Sequence, residues 1–292
     1  MKKKSSLKHT GAFWAFCAPC CILFGVFFLV PLVLSIAFSF TNYDGWKTID
    51  FVGLTNYITL FKDSKFYLSL GRTLLYTVCT LPFRVIIPLL VAVLLCSKRV
   101  AAKSLTRTMV YIPVLMSALV VGITINWMFS QEYGLVNFII RSLGGTALEW
   151  SLNPRLATFV IAFASVWASI GFNMILYIGG INSISNDLYE AASIDGASGV
   201  QAFFRITVPM LAPTTFMVVL LSTVNLLKEY ALVQGITQGG PGNATMTLVY
   251  YIYNVAFVNT PKYGYASAVS MVLFVLVLFV TIIQFKGSSN ND

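Results

Sequence analysis

Ionisable side chains are scarce in this chain. Asp, Glu, Lys and Arg together make up 10% of 292 residues, and histidine occurs once, at His9. Hydrophobic residues make up 58%, and mean hydropathy is +0.82. So little charge excludes a soluble domain of this length and indicates an integral membrane protein. No G-x-x-x-x-G-K-[ST] phosphate loop occurs, so the chain is expected to bind no ATP itself. Six of the ten acids fall in loops expected outside or at the C-terminus, and His9 sits in a basic tail. That leaves no paired-carboxylate or Ser/His/Asp site, and no catalytic role is expected. Cysteine is sparse too: Cys17, Cys20, Cys21, Cys79 and Cys96 all lie in or at the ends of apolar runs. Cys17-Ala18-Pro19-Cys20 has C-x-x-C spacing, but neither a βαβ pattern nor a second ligand pair accompanies it. The cysteines read as buried small hydrophobes, and no metal site is expected.

Long apolar runs are what the chain has in abundance. A helical span needs about 20 apolar residues, and six runs qualify: Ala12–Phe40, Leu70–Cys96, Thr108–Phe129, Leu156–Gly179, Leu211–Leu227 and Tyr263–Phe285. The expected fold is an all-α membrane protein of six transmembrane helices. Its parts are a basic tail 1–11, a membrane domain 12–285 and a second tail 286–292. The first run is longer than a signal-peptide core and has no convincing small-residue cleavage site, so it reads as a retained anchor. The net charge of +9 does not mark a nucleic-acid binder, because the charge is localised. Lys2, Lys3, Lys4 and Lys8 precede the first run, and Lys98, Arg99, Lys103 and Arg107 fill the loop after the second. The positive-inside rule places both regions, and with them both termini, in the cytoplasm.

A polar stretch, Glu190 to Pro213, overlaps the loop 181–212 that separates the fourth and fifth runs on that same face. Glu190-Ala191-Ala192 favours helix. Leu188, Ala191, Ala192 and Ile194 give that helix one apolar side, with Asp187, Glu190 and Asp195 as its charges. Gly196 and Gly199 are expected to break it. A second amphipathic piece follows, with Val200, Phe203, Phe204 and Ile206 apolar, and Pro209 and Pro213 are expected to end it. The order Glu190-Ala191-Ala192, Gly196, Ile206, Val208-Pro209 resembles the EAA loop of bacterial ABC importer permeases. In that family the loop is a coupling helix that docks on a cytoplasmic ATPase. The resemblance implies that Glu190, Ala191, Ala192, Asp195, Gly196, Ile206 and Pro209 couple this chain to such a partner, with ATP and Mg bound there and not here.

Two further segments extend the resemblance to the carbohydrate branch, of the maltose and glycerol-phosphate type. Asn42 to Phe61 mixes aromatics with Asp and Gly, which suits an interfacial belt or a docking edge. Gly239-Gly240-Pro241-Gly242 forces an irregular turn ahead of Tyr250, Tyr251 and Tyr253. Together they are similar to the first external loop and the T-x-GGP…YYIY segment of sugar-importer permeases. Two positions depart from the family pattern: Ser185 stands where proline is frequent, and Gly71-Arg72-Thr73 where Asn-Thr is frequent. The resemblance implies the type I importer permease fold in a bacterial inner membrane. It also implies a second, homologous permease, an ATPase dimer, an extracytoplasmic solute-binding protein and a carbohydrate substrate.

Polar residues inside the runs are candidates for the path. Arg84 must face protein or water, because an arginine deep in a bilayer costs at least about 2.5–3.5 kcal/mol; it is either a partner inside the bundle or a lining residue. Ser165, Ser169, Gly171 and Asn173 suit close packing or a wet face. Asn225, Lys228, Glu229 and Tyr230 are read as a polar stripe in the outer half of the fifth span, where Asn225 and Glu229 fall at positions resembling substrate contacts of maltose-type permeases, with Asn173 as a companion. The competing reading is a helix end whose lysine snorkels to the interface. A secondary transporter of a small polar solute is the alternative function, but it would need ion sites and often repeated halves.

Overall fold

The computed structural model describes residues 6–46, 49–97, 102–258 and 260–289. Lys2, Lys3, Lys4, Lys98 and Arg99, on which the orientation reading leans, lie outside the described residues. Helix α1 (Ser6–Phe24) continues through a π turn, Gly25–Leu29, into α2 (Val30–Ser39). A short α3 (Thr55–Leu60) precedes the long α4 (Ser64–Cys96). Then come α5 (Lys103–Leu115), α6 (Ala118–Met128), α7 (Leu135–Ser142) and α8 (Pro154–Asn182). The polar stretch forms α9 (Asn186–Ile194), α10 (Gly199–Ala202), a π turn Phe203–Thr207 and α11 (Val208–Met210). The chain ends with α12 (Ala212–Leu227), α13 (Ala231–Ile236), α14 (Leu248–Tyr253) and α15 (Tyr263–Ser289). Among the described residues the only β pairing is one bridge, Thr41 to Phe51.

Four stretches are long and apolar enough to cross a bilayer without interruption: Phe13–Ser39, Ser64–Cys96, Pro154–Asn182 and Tyr263–Gly287. The third expected span is broken, with α5 and α6 bent by 101° across Met116 and Ser117, where the Ser117 hydroxyl accepts from Val120 N and caps α6. The fifth is short. The 16 residues of α12 reach about 24 Å, less than a hydrocarbon core of about 30 Å, and α13 resumes after a break. Helix α15 runs on to Ser289, into the expected tail 286–292. None of the five cysteines is buried within the chain, and Cys20, Cys21 and Cys79 are exposed. The expectation of buried cysteines is therefore corrected: a surface in a membrane is open to apolar side chains without burial by protein.

The chain divides into two compact units, Met1–Asp63 with Ile252–Val275, and Ser64–Tyr251 with Leu276–Asp292. In the first, polar side chains tie the loop after α2. Asn56 donates to the carbonyls of Ser39 and Thr41, Asn42 and Asp50 bond each other's side chain and backbone, and Tyr265 donates to Asp63. Gly264 lies directly against the Thr41 carbonyl, where no Cβ would fit.

In the second unit α8 packs centrally against α4 and α5. Pro88 cannot donate to the carbonyl four residues back, which leaves Arg84 O unbonded within α4. The amide of Asn173 on α8 donates to that oxygen at 2.9 Å, and to Ser222 Oγ on α12 at 3.2 Å. One buried Asn thus mends a proline gap and pins three helices. Gly171 serves close approach: a Cβ there would lie 2.7 Å from Val110 O and 2.9 Å from Tyr111 Cα on α5. Gly171→Ala is therefore expected to destabilise the purified protein by about 1–3 kcal/mol, seen as a lower thermal midpoint in detergent. Gly179→Ala on the same helix, where a Cβ meets nothing within 4 Å, should leave the midpoint unchanged.

Candidate coupling element and substrate path

The loop between α8 and α12 is a built helix–turn–helix. The Ser185 hydroxyl accepts from Asp187 N to open α9, which places Glu190 on an exposed face. At its end Ala197 N donates to Ala192 O at 2.9 Å and Gly196 N to Ser193 O at 3.2 Å, a Schellman closure with Gly196 at φ +77°. Only Gly196 acts as the breaker. Gly199, expected to share that task, is the first residue of α10, whose start is a capping box between Ser198 and Gln201.

Pro209 does not end the second helix as expected. The π turn Phe203–Thr207 puts Val208 N on Phe203 O, so the backbone widens just ahead of the ring and α11 carries on through Pro209. The π turn Gly25–Leu29 stands in the same way before Val30-Pro31. Widening the helix there relieves the clash a proline ring makes with the preceding turn. The bend, 67°, comes at Leu211, and Pro213 lies in the first turn of α12.

The two faces of this element differ. Ile206 and Tyr189 pack against a core of Ala92 and Leu95 on α4, Met174, Tyr177 and Ile178 on α8, and Leu211 and Val218. The Tyr189 hydroxyl meets Thr207 Oγ1 at 2.9 Å. Ile206 therefore anchors the element from within. On the outward side Ile194, Val200 and Phe204 stand 86%, 67% and 64% exposed. Large apolar side chains left exposed on a polar segment suit a contact with a partner protein or a membrane surface. Glu190, Ala191, Asp195, Gly196 and Pro209 are likewise exposed and Ala192 is half-buried. Sequence reasoning gave the amphipathic pattern but placed Ile206, and not these three residues, in the site.

The residues read as a polar stripe on the fifth span are arranged differently. Helix α12 stops at Leu227, and Lys228, Glu229 and Tyr230 form the break before α13. The helical i+3 and i+4 relation between Asn225 and its neighbours therefore does not apply. The stop has two causes. The Glu229 carboxylate accepts from Leu232 N at 3.1 Å and so caps α13, and Thr247 Oγ1 donates to Glu229 O at 2.7 Å. Asn225 and Lys228 are exposed, Glu229 and Tyr230 are half-buried, and the Tyr230 ring stacks on Tyr250 with centroids 6.1 Å apart. Arg84 is half-buried on α4, near enough to Glu229 for the two charges to interact, and its Nε finds no hydrogen-bond partner. Asn173 is buried in the contacts that pin α4, α8 and α12, away from these exposed groups.

The two broken spans meet. A Cβ on Gly122 of α6 would lie 3.0 Å from Gly235 Cα of α13, and one on Gly235 would lie 2.9 Å from Gly122 Cα. Backbone therefore touches backbone beside the Glu229 break. The following loop is held internally, with Thr245 Oγ1 donating to Gly240 O and meeting Thr237 Oγ1 at 2.7 Å. Among the described residues no group of His, Cys, Asp and Glu could hold a metal ion.

Apolar spans, two of them broken, joined on one side by an anchored helix–turn–helix, define a polytopic transport subunit. Comparison places it more narrowly. The family described as binding-protein-dependent transport system inner membrane component matches residues 57–286, and the chain belongs to that family. It is 33% identical over 279 residues to the lactose transport system permease protein LacF of Rhizobium radiobacter, covering 94% of this chain and 93% of the relative. It is 34% identical to the arabinooligosaccharides transport system permease protein AraP of Bacillus subtilis, covering 95% and 88%. With the sn-glycerol-3-phosphate transport system permease protein UgpA of Agrobacterium fabrum it shares 33% identity over 92% of each chain. The fold matches that of a bacterial ABC transporter involved in the import of the acidic polysaccharide alginate, with TM-score 0.84 and 23% identity over 98% of this chain and 97% of the other. The chain is thus a multi-pass permease of a binding-protein-dependent transport system, with the type I importer fold.

Proposed function

We propose that this chain is one of two related permease subunits of an ATP-driven importer for a carbohydrate, and that α9 to α11 receive the movement of a cytoplasmic ATPase dimer. The observation that carries this reading is the anchored element whose outer face leaves Ile194, Val200 and Phe204 uncovered. Its inner face is fused to the ends of α4, α8 and α12 through Ile206, Tyr189 and Leu211, so a push on the element moves these helices as a block. Nucleotide and Mg stay with the ATPase. Alternating access then follows from differential binding, each state being favoured by the partner that fits it better. Both termini and α9 to α11 face the cytoplasm, and residues 12–285 form the membrane domain. Support for a carbohydrate comes from the names of several relatives, which include lactose and arabinooligosaccharides.

In vesicles holding the assembled importer, collapsing ion gradients at constant ATP is expected to leave uptake unchanged, and depleting ATP to stop it. The reverse pattern would make the chain a secondary transporter. A solute-binding protein should dock on the opposite face, at the segments Tyr43–Phe61 and Gln238–Thr245. Trp46 is 89% exposed and Asn243 is exposed at a turn. Cysteines at these two positions are expected to crosslink to the binding protein; crosslinks to the sister permease alone would assign the loops to assembly.

A further inference from the structure

A cavity of about 480 Å³ lies between α4 and α8. These helices are separated by one returning span, so they run the same way, and their charged residues sit at the same end. Arg155 is in the first turn of α8, and Arg72 lies about 12 Å along α4 from Ser64. Both line the cavity, and Arg72 Nη1 is buried without a hydrogen-bond partner. The Asn173 bond to Arg84 O sets the register of the two helices, so Phe159 and Phe163 of α8 lie about level with Arg72, and the walls deeper in are Cys79, Phe83 and Ile87 of α4 with Val166 of α8. Ile87 lies roughly 22 Å along the helix from Arg72, nearly three quarters of a hydrocarbon core of about 30 Å.

Positive charge at the shallow end and apolar walls below match an amphiphile with an anionic head. A neutral sugar fits poorly. The wall threonines Thr158, Thr245 and Thr247 already donate to backbone carbonyls, and the hydroxyls of Tyr76 and Thr80 are the two on the wall without a partner, too few for a ring of hydroxyls. An apolar helix of another subunit fits poorly too, because it would seal the Arg72 guanidinium away from any counter-charge. Arginine pairs well with phosphate through two parallel hydrogen bonds.

We propose that this cavity holds one acidic phospholipid, with its phosphate on Arg72 and Arg155 and an acyl chain running past Phe159 and Phe163 down to Phe83 and Ile87. The test is native mass spectrometry of the assembled importer, equilibrated with phosphatidylglycerol or phosphatidylcholine of identical chains. Wild type is expected to retain phosphatidylglycerol at least ten-fold better. The double variant Arg72→Gln with Arg155→Gln should lose that preference. Val166→Phe, which fills the cavity below the arginines, should lower retention of both lipids. Equal retention of the two lipids by wild type overturns the proposal without needing any variant to fold. So does a preference that survives in the double arginine variant. Displacement of the lipid by soluble glycerol phosphate at millimolar concentration would assign the cavity to a transported anion and overturn it as well.

Discussion

Gly196→Val is expected to lower coupled transport about five- to thirty-fold while leaving the protein folded in the membrane. Position 196 has φ +77°, a conformation costing an ordinary L-residue about 1–2 kcal/mol and a β-branched one more. A Cβ there would meet nothing within 4 Å, so no clash contributes and the penalty falls on the backbone alone. Relief of that strain opens the Schellman closure and swings α10 away from the direction that α9 sets. The exposed trio Ile194, Val200 and Phe204 then no longer forms one surface, because Ile194 precedes the turn and the other two follow it. Asparagine tolerates the left-handed region, so Gly196→Asn should retain most activity. The measurements are uptake and co-purification of the ATPase, with thermal midpoint as control. A valine variant that transports and retains its ATPase like wild type would remove the coupling assignment. An asparagine variant as damaged as valine would show that the surface tolerates no side chain at 196.

The parts of this molecule that were legible in its sequence are those set by local chemistry. Span positions follow from transfer energies, and the helix–turn–helix follows from Ser185, Gly196 and Ser198 acting on their immediate neighbours. The break between α5 and α6 carried a readable sign in Ser117 ahead of an apolar run, but a continuous hydrophobic stretch masked it. Other features depend on distant residues. The stop after Leu227 is enforced by Thr247, twenty residues on, and by a carboxylate that caps the next helix and does not extend the last one. Asn173 read as either a close-packing or a wet-face residue, because nothing near it in sequence shows that Pro88, on another helix, leaves a carbonyl to satisfy. The exposed cysteines reflect a different limit: hydropathy says that a side chain avoids water, and not whether lipid or protein receives it.

Glu229 combines three duties that two substitutions can separate. Its carboxylate caps α13 through Leu232 N, its backbone oxygen anchors Thr247, and its charge faces Arg84 across the bundle. Glu229→Ala removes both cap and charge. Loss of the cap alone costs about 0.5–2 kcal/mol, so this variant should melt earlier and transport poorly. Glu229→Gln keeps an oxygen for Leu232 N and loses only the charge, so its thermal midpoint should stay near wild type. If the charge holds substrate or balances Arg84 in the path, uptake by the glutamine variant should still fall about ten- to a hundred-fold. That range corresponds to the roughly 1.5–3 kcal/mol of a buried charged hydrogen bond. Basal ATPase activity of the assembled importer should persist, because α9 to α11 are untouched. Asn225 is exposed at the end of α12, so Asn225→Ala should lower apparent affinity with no loss of stability. Wild-type uptake kinetics in both Glu229→Gln and Asn225→Ala would reduce Glu229 to a helix cap and move the substrate path away from the α12–α13 break.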